Sequence, residues 1–113
     1  MPTYDILPVY KTSYDLLLAI FNFSQSLTRE YKYTIGDNLK TETVAMITNI
    51  YRANSTQINR YDRIQSAREN LEVIRLFLRL LKDLKQISLT KFITINESIE
   101  SISKQLTAWK IHS

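Results

Sequence analysis

Residues 67–85 read ARENLEVIRLFLRLLKDLK, and this stretch decides the fold. At an advance of about 100° per residue along a helix, its charged side chains fall within a strip of roughly 80°. The apolar side chains cover nearly all the rest, an arc of about 220°, whereas a surface helix of a lone bundle needs little more than about 100°. The strip consists of Arg68, Glu72, Arg75, Arg79 and Lys82. The stretch therefore predicts a long helix that is unusually apolar and is charged along one edge.

The rest of the chain also favours helices. It contains one Gly and two Pro among 113 residues, too few for the many turns of a β-rich fold. We therefore predict an all-α protein with long helices and short connections, in a single domain over residues 1–113. The predicted helices span about 8–27, 35–54, 62–86 and 89–109.

Several local patterns mark the connections between these helices. The segment Thr28–Thr34 breaks the apolar repeat and is expected to be a link. Thr34 followed by Asp37 resembles a capping box that would start helix 2, with Gly36 in its first turn allowing close approach of a neighbour. The polar segment Asn54–Asn59 is predicted to be a loop.

Helix 4 is expected to begin after Ser88, a residue type favoured at N-caps. Helices of about 20 residues are roughly 30 Å long. Short links make neighbouring helices antiparallel, so an up-down-up-down four-helix bundle is the economical arrangement.

The wide apolar arc of helix 3 has two explanations. The helix could be the most buried one in a lone bundle, or it could present one apolar flank to the bundle and another to a second subunit. A four-helix bundle has no central helix, so we favour an oligomer. Under this hypothesis, four leucines divide between the bundle core and the subunit interface: Leu71, Leu76, Leu78 and Leu80.

The charged strip can be explained by pairing within the helix. Arg68 with Glu72, Glu72 with Arg75, and Arg79 with Asp83 all have i,i+3 or i,i+4 spacing. Each such pair contributes about 0.2–0.5 kcal/mol to helix stability. This is the simpler interpretation.

The alternative is a cationic ridge that contacts phosphates. Arg75, Arg79 and Lys82, with Lys85 nearby, outnumber the carboxylates among them, and the whole chain has a formal charge of +4. Such a ridge would bind RNA or DNA by charge and not by base sequence.

Catalytic and metal sites are poorly supported. The chain has no Cys, and its one histidine, His112, lies beside the C-terminus, which excludes thiol chemistry and a credible Ser-His-Asp triad. The carboxylate pairs Glu69/Glu72 and Glu97/Glu100 are expected to be solvated. No apolar run approaches the ~20 residues of a membrane span. We therefore expect a cytoplasmic, non-enzymatic protein without cofactors or membrane contact.

Four segments, taken in order and spacing, resemble a known family. They are YTIGDNL at 33–39, IYRAN at 50–54, IRLFLRLL at 74–81 and LTAW at 106–109. Together they resemble the accessory variability determinant proteins of diversity-generating retroelements, which share their fold with proteins encoded in rRNA intervening sequences. The resemblance spans roughly residues 8–109. The Gly that usually precedes the helix 4 Trp in the family is absent here.

This resemblance implies a homopentameric barrel of bundles that associates with the retroelement's reverse transcriptase and template RNA and supports error-prone cDNA synthesis. The family's basic helix 3 positions match Arg75 and Arg79. Helical geometry adds further candidate nucleic-acid contacts: Lys82, Lys85, Arg68 and Arg52. A structural oligomer of the rRNA-insert type, with no polymerase partner, is the alternative.

Overall fold

Four long helices account for most of the residues that the structure, a computed structural model, describes, namely 7–112. They are α1 (Pro8–Ser24), α2 (Asp37–Ser55), α3 (Arg60–Asp83) and α4 (Leu89–Ile111). A lead-in segment precedes α2 and consists of one α-turn, Arg29–Tyr31, and one π-turn, Lys32–Gly36. The all-α class is confirmed.

Each helix packs mainly on two others. The most extensive packing joins α2 to α3, and α1 lies against both α2 and α4. Between α2 and α3, Asn49 Nδ2 donates to Asn70 Oδ1 at 3.0 Å, and Asn70 Nδ2 donates to Glu42 Oε2 at 3.0 Å. The molecule measures 43 × 23 × 20 Å, a cross-section of two helices by two at about 10–12 Å per helix. This is a helical bundle.

The core lies along the bundle axis and receives side chains from every helix. Apolar residues that recur every three or four positions form one inward stripe on each helix. On α3 this stripe consists of Ile64, Ala67, Leu71, Ile74, Leu78 and Leu81, and on α4 it consists of Ile95, Ile99, Ile102 and Leu106. Phe92 and Trp109 pack against its edge.

Helix α1 ends earlier than the predicted residue 27. Ser24 Oγ donates to Ile20 O at 2.6 Å, and Ser26 Oγ donates to Phe23 O at 2.8 Å. Ser26 N donates to Phe23 O at 3.0 Å and Leu27 N donates to Ser24 O at 3.3 Å, so shorter i→i−3 bonds satisfy the last carbonyls and the α-helix ends here. Leu27 nevertheless remains buried and belongs to the core.

The predictions for residues 28–34 were wrong. This segment is largely helical, and Thr34 Oγ1 donates to Glu30 O at 2.8 Å, a bond inside the helical lead-in. Gly36 has right-handed helical dihedrals, φ −59° and ψ −46°, and no side-chain capping bond forms where α2 begins at Asp37. The helix therefore continues through the position where a capping box would have started it.

The expected close approach at Gly36 is confirmed. A Cβ atom at this position would lie 3.2 Å from Leu27 Cδ1 and 3.3 Å from Tyr31 O. Both distances are shorter than ordinary van der Waals contact. The absence of a side chain thus lets the lead-in pack against the end of the α1–α2 connection.

The connections before and after α3 are shaped by residues at the helix ends. Ser88 Oγ accepts a hydrogen bond from Lys91 N at 3.1 Å, so the predicted N-cap of helix 4 is confirmed. Asn59, with φ 59°, is left-handed and immediately precedes α3. Lys85 is also left-handed, with φ 61°, and this conformation ends the third helix before the predicted residue 86.

Candidate nucleic-acid interface

The cationic strip of α3 lies along the side of the helix that faces α4. Arg75 forms an ion pair with Glu100 of α4. About two turns further along α3, Lys82 Nζ lies 4.9 Å from the centroid of the Phe92 ring. The strip is therefore partly a helix–helix contact, not a fully open surface.

Arg75 forms more ion pairs than any other predicted nucleic-acid contact among the described residues. Its guanidinium pairs with Glu100 and, at 3.5 Å, with Glu72 on its own helix. Burial opposes the charged form and lowers the pKa of Arg75, but the hydrogen bond to Glu100 and the charges of Glu72 and Glu100 outweigh it, so the pKa is raised. Two carboxylates already occupy the group that a phosphate would need.

Arg79 is more accessible. Its side chain is 66% exposed, and Arg79 Nε lies 3.3 Å from Asp83 Oδ2 in an i,i+4 pair. Exposed pairs of this kind contribute about 0–1 kcal/mol because water screens them. A phosphate group could replace Asp83 as the partner of Arg79 at little cost.

Lys82 and Lys85 differ in their surroundings. Lys82 is half-buried against the Phe92 ring, a cation–π contact that fixes its side chain. Lys85 is exposed in the turn after α3, where Lys85 N donates to Lys82 O at 3.0 Å and Gln86 N donates to Leu81 O at 2.9 Å. This is the Schellman pattern, with lysine at the position usually taken by glycine.

The last two predicted basic contacts are Arg68, at the start of the strip, and Arg52, which lies outside it. Arg68 is half-buried, and its Nη1 donates to Gln65 Oε1 at 3.2 Å, next to a shallow cleft that Glu72 also lines. Arg52 is exposed, but it lies on α2 near that helix's C-terminus. Among residues 7–112, neither Lys85 nor Arg52 has a carboxylate within ion-pair distance.

The four leucines proposed for core and interface separate clearly. Leu71 and Leu78 are each 1% exposed and lie in the bundle core. They are not accessible to a second subunit, so their assignment to an oligomer interface is corrected. Leu76, 62% exposed, and Leu80, 38% exposed, lie on the outer surface of α3.

Sequence reasoning missed the contribution of α4 to this surface. Glu100 was expected to be solvated with Glu97, yet it pairs with Arg75 from another helix. Phe92, half-buried at the edge of the core, also supports Lys82. The i,i+3 and i,i+4 pairing rules consider only neighbours on one helix. Finding the contact with Glu100 would have required the alignment of α3 against α4.

Other kinds of site find little support in the described residues. Over 7–112, no three His, Asp or Glu side chains converge as metal ligands would. No helix in this range combines the length and apolar character needed to cross a bilayer. The fold and surface define a helical bundle whose main chemical feature is its exposed positive charge.

Comparison with known proteins identifies the family of this helical bundle. The chain belongs to the bAvd-like family, whose model matches residues 7–112. The resemblance to accessory variability determinant proteins is thereby confirmed. Membership in this accessory protein family suggests an accessory role in a diversity-generating retroelement.

A solved structure from Bacteroides thetaiotaomicron shares the fold. It is a protein of unknown function from the S23 ribosomal protein family, 20% identical to this chain, with a TM-score of 0.82. The match covers 90% of this chain and 94% of that one. Among curated proteins, none is significantly similar to this chain.

Proposed function

We propose that this protein is a non-enzymatic accessory subunit of a diversity-generating retroelement. It binds the reverse transcriptase and nucleic acid, either template RNA or cDNA, and supports mutagenic cDNA synthesis in the cytoplasm. The observation that carries this proposal is the family match over residues 7–112, nearly the whole chain. An accessory role also accords with a fold whose described residues offer charge and apolar surface.

Nucleic acid is bound through basic surface residues. Arg79 and Lys85 are exposed and are the best placed of the α3 candidates to meet phosphates. Lys82 adds charge from its position over the Phe92 ring. The geometry changes the role we assign to Arg75, which holds α3 against α4 and contributes less to binding.

The bundles assemble into a homopentameric barrel, in which helices adjacent in sequence run in opposite directions within each subunit. Two contacts support the antiparallel orientation of α3 and α4. Gln65, early in α3, bonds Lys110 near the end of α4, whereas Arg75, later in α3, bonds Glu100, earlier in α4. Assembly is supported by Leu76 and by its neighbour Leu80, since burying exposed leucine favours association.

The polymerase partner is tested by co-purification. A reverse transcriptase encoded beside this gene is co-expressed with the tagged protein, and the bound RNA is sequenced. We expect the polymerase and its template RNA to be recovered together. Recovery of the bundle protein alone, under conditions where both proteins are folded, would reject the polymerase partner.

The basic residues are tested by measuring RNA affinity against salt concentration. Arg79→Ala should weaken binding and reduce the salt dependence, whereas Arg75→Ala should have a smaller effect, because Glu72 and Glu100 already neutralise Arg75. Lys104→Ala removes another exposed cation, from α4, and is the matched control. Unchanged affinity of the Arg75→Ala/Arg79→Ala double variant at low salt would remove both residues from the nucleic-acid interface.

The second candidate is a structural oligomer of the rRNA-insert type, with no polymerase partner. The full-length fold similarity to a member of the S23 ribosomal protein family makes this class worth testing. Native mass spectrometry of the purified protein separates the outcomes, since this candidate predicts a stable oligomer that acquires neither polymerase nor template RNA.

A further inference from the structure

A second concentration of positive charge lies at one end of the bundle. Here α2 ends, α3 begins and α4 ends, and a cleft of about 400 Å³ lies between the start of α3, the connection that precedes it and the residue that follows α4. The cleft is lined by Gln57, Asn59, Arg60, Tyr61, Asp62 and His112. We call the cations of this region, Arg52, Arg60, Arg63 and Lys110, the basic end.

The basic end is less neutralised than the α3 strip. Asp62 is the one carboxylate among the described side chains that line the cleft, and within residues 7–112 none of the four cations lies within ion-pair distance of an acidic side chain. On α3, by contrast, Arg75 and Arg79 are both paired with carboxylates. An incoming phosphate therefore has fewer carboxylates to displace at the basic end.

Helix dipoles explain only part of this charge. Arg52 and Lys110 lie in the last turns of α2 and α4, where positive side chains are stabilised by the negative end of the helix. Arg60 and Arg63 lie in the first turn of α3, where the dipole disfavours a positive charge. Arg60 nevertheless has a structural role, since its Nε donates to Ala53 O in the last turn of α2, where a cation is favourable. Arg63 is the cation of this group for which the dipoles and the described side-chain bonds give no structural reason.

Arg60 is held in place by the local chain geometry. The left-handed Asn59 directs the chain into α3, and Arg60 Nε donates to Ala53 O at 2.7 Å, near the C-terminus of α2. The guanidinium has five N–H groups, and this bond uses one of them. Arg60 is thereby fixed at the wall of the cleft with further donors for an anion.

Tyr61 adds an aromatic surface beside these cations. The residue is 54% exposed, and Lys110 Nζ lies 4.8 Å from the centroid of its ring. Lys110 Nζ also donates to Gln65 Oε1, so both the ammonium group and the ring have a defined position. Proteins that bind single-stranded nucleic acids combine exposed aromatic rings with cations that have no ion pair. The bases stack on the rings, and the phosphates lie near the charges.

We propose that the basic end binds single-stranded nucleic acid, with Arg52, Arg60 and Arg63 near the phosphates and a base stacked on Tyr61. This inference rests on the proposed nucleic-acid binding but not on the polymerase partner. An acidic protein surface would use the charges alone. The exposed ring favours a nucleic acid, since every base offers a face for stacking.

The charge component is tested by fluorescence anisotropy with a short oligouridylate over a range of salt concentrations. Arg52→Gln/Arg63→Gln removes two cations without disturbing the bond between Arg60 and α2. The logarithmic salt slope should decrease by about 1.4, because each phosphate contact on a single strand contributes about 0.7. Lys91→Gln/Lys104→Gln removes the same charge from exposed positions on α4 and should leave the slope closer to that of the original protein.

The stacking component is tested at Tyr61. Tyr61→Leu should weaken oligouridylate binding by about fivefold or more, since stacking on an aromatic ring contributes about 1–3 kcal/mol per base. Tyr61→Phe keeps the ring and should bind within about twofold of the original protein. Thermal unfolding of each variant checks that the bundle is intact.

The outcomes separate this inference from the proposed function. If the original protein binds no nucleic acid, both fail. If it binds and Arg79→Ala weakens binding while the Arg52/Arg63 and Tyr61 variants do not, only the inference about the basic end is overturned. Polyglutamate serves as a second probe that offers charge without bases. If Arg52→Gln/Arg63→Gln weakens the binding of polyglutamate and oligouridylate equally, and Tyr61→Leu has no effect, the surface is assigned to an acidic protein instead.

Discussion

Arg75 on α3 and Glu100 on α4 form an ion pair between residues that are 25 positions apart in sequence. The pair is half-exposed, with 32% of the Arg75 side chain and 49% of the Glu100 side chain accessible. A residue first considered for phosphate binding therefore has a partner within the fold. Its contribution to stability and its contribution to binding can be measured separately.

A double-mutant cycle measures the first contribution. Arg75→Ala and Glu100→Ala, singly and together, should give a coupling energy of about 0.5–1 kcal/mol that decreases in high salt. The control is the Lys11–Asp15 pair on α1, which is more exposed and should couple by about 0.3–0.5 kcal/mol. A coupling energy near zero for Arg75 and Glu100 in urea unfolding at low salt would show that the pair does not stabilise the packing of α3 on α4.

Substitutions of two α3 leucines should have different consequences, one for the stability of the fold and one for assembly. Leu78→Ala removes a fully buried side chain and should lower the free energy of unfolding by about 2–5 kcal/mol. Leu76→Glu changes a side chain on the outer surface, so the helical circular dichroism should persist while native mass spectrometry shifts toward smaller assemblies. An unchanged assembly mass for folded Leu76→Glu would exclude this face from the subunit interface.

The contrast between these leucines shows what the apolar pattern of α3 could predict. The inward stripe follows from a spacing of three or four residues, and Leu71, Ile74, Leu78 and Leu81 are all buried. The excess width of the arc is real as well, since Leu76 is left on the surface. The spacing predicted that such a stripe exists, but it could not show which part of the wide apolar arc faces inward, and so it did not separate Leu71 and Leu78 from Leu76 and Leu80.

The charged surface was less predictable for a different reason. Pairing rules within a helix identified Arg79 with Asp83, and the structure has that ion pair. They could not identify Glu100 as the partner of Arg75, because that contact depends on how α3 and α4 are aligned. The lead-in before α2 was missed because its stability comes from contacts such as that of Gly36 with Leu27, which leave no apolar repeat.

The left-handed conformation of Lys85 predicts a stabilising substitution. A side chain in this region costs about 1–2 kcal/mol, whereas glycine adopts it freely but loses more conformational entropy on folding. Lys85→Gly should therefore raise the free energy of unfolding by about 0.5–1 kcal/mol. The same change at Lys104, exposed within α4, should lower it by roughly 0.5–1 kcal/mol. Equal destabilisation by both, measured in urea, would contradict a left-handed Lys85.

Ser13 on α1 predicts a second stabilising change. Its hydroxyl is fully buried, and among the described residues it has no hydrogen-bond partner, whereas Ser24 Oγ, equally buried, donates to Ile20 O at 2.6 Å. Burying an unsatisfied hydroxyl costs about 1–3 kcal/mol. Ser13→Ala should therefore raise the free energy of unfolding by about 1 kcal/mol, while Ser24→Ala should lower it or leave it unchanged. Thermal unfolding compares the two variants, and a destabilised Ser13→Ala protein would mean that this hydroxyl has a partner, such as a bound water.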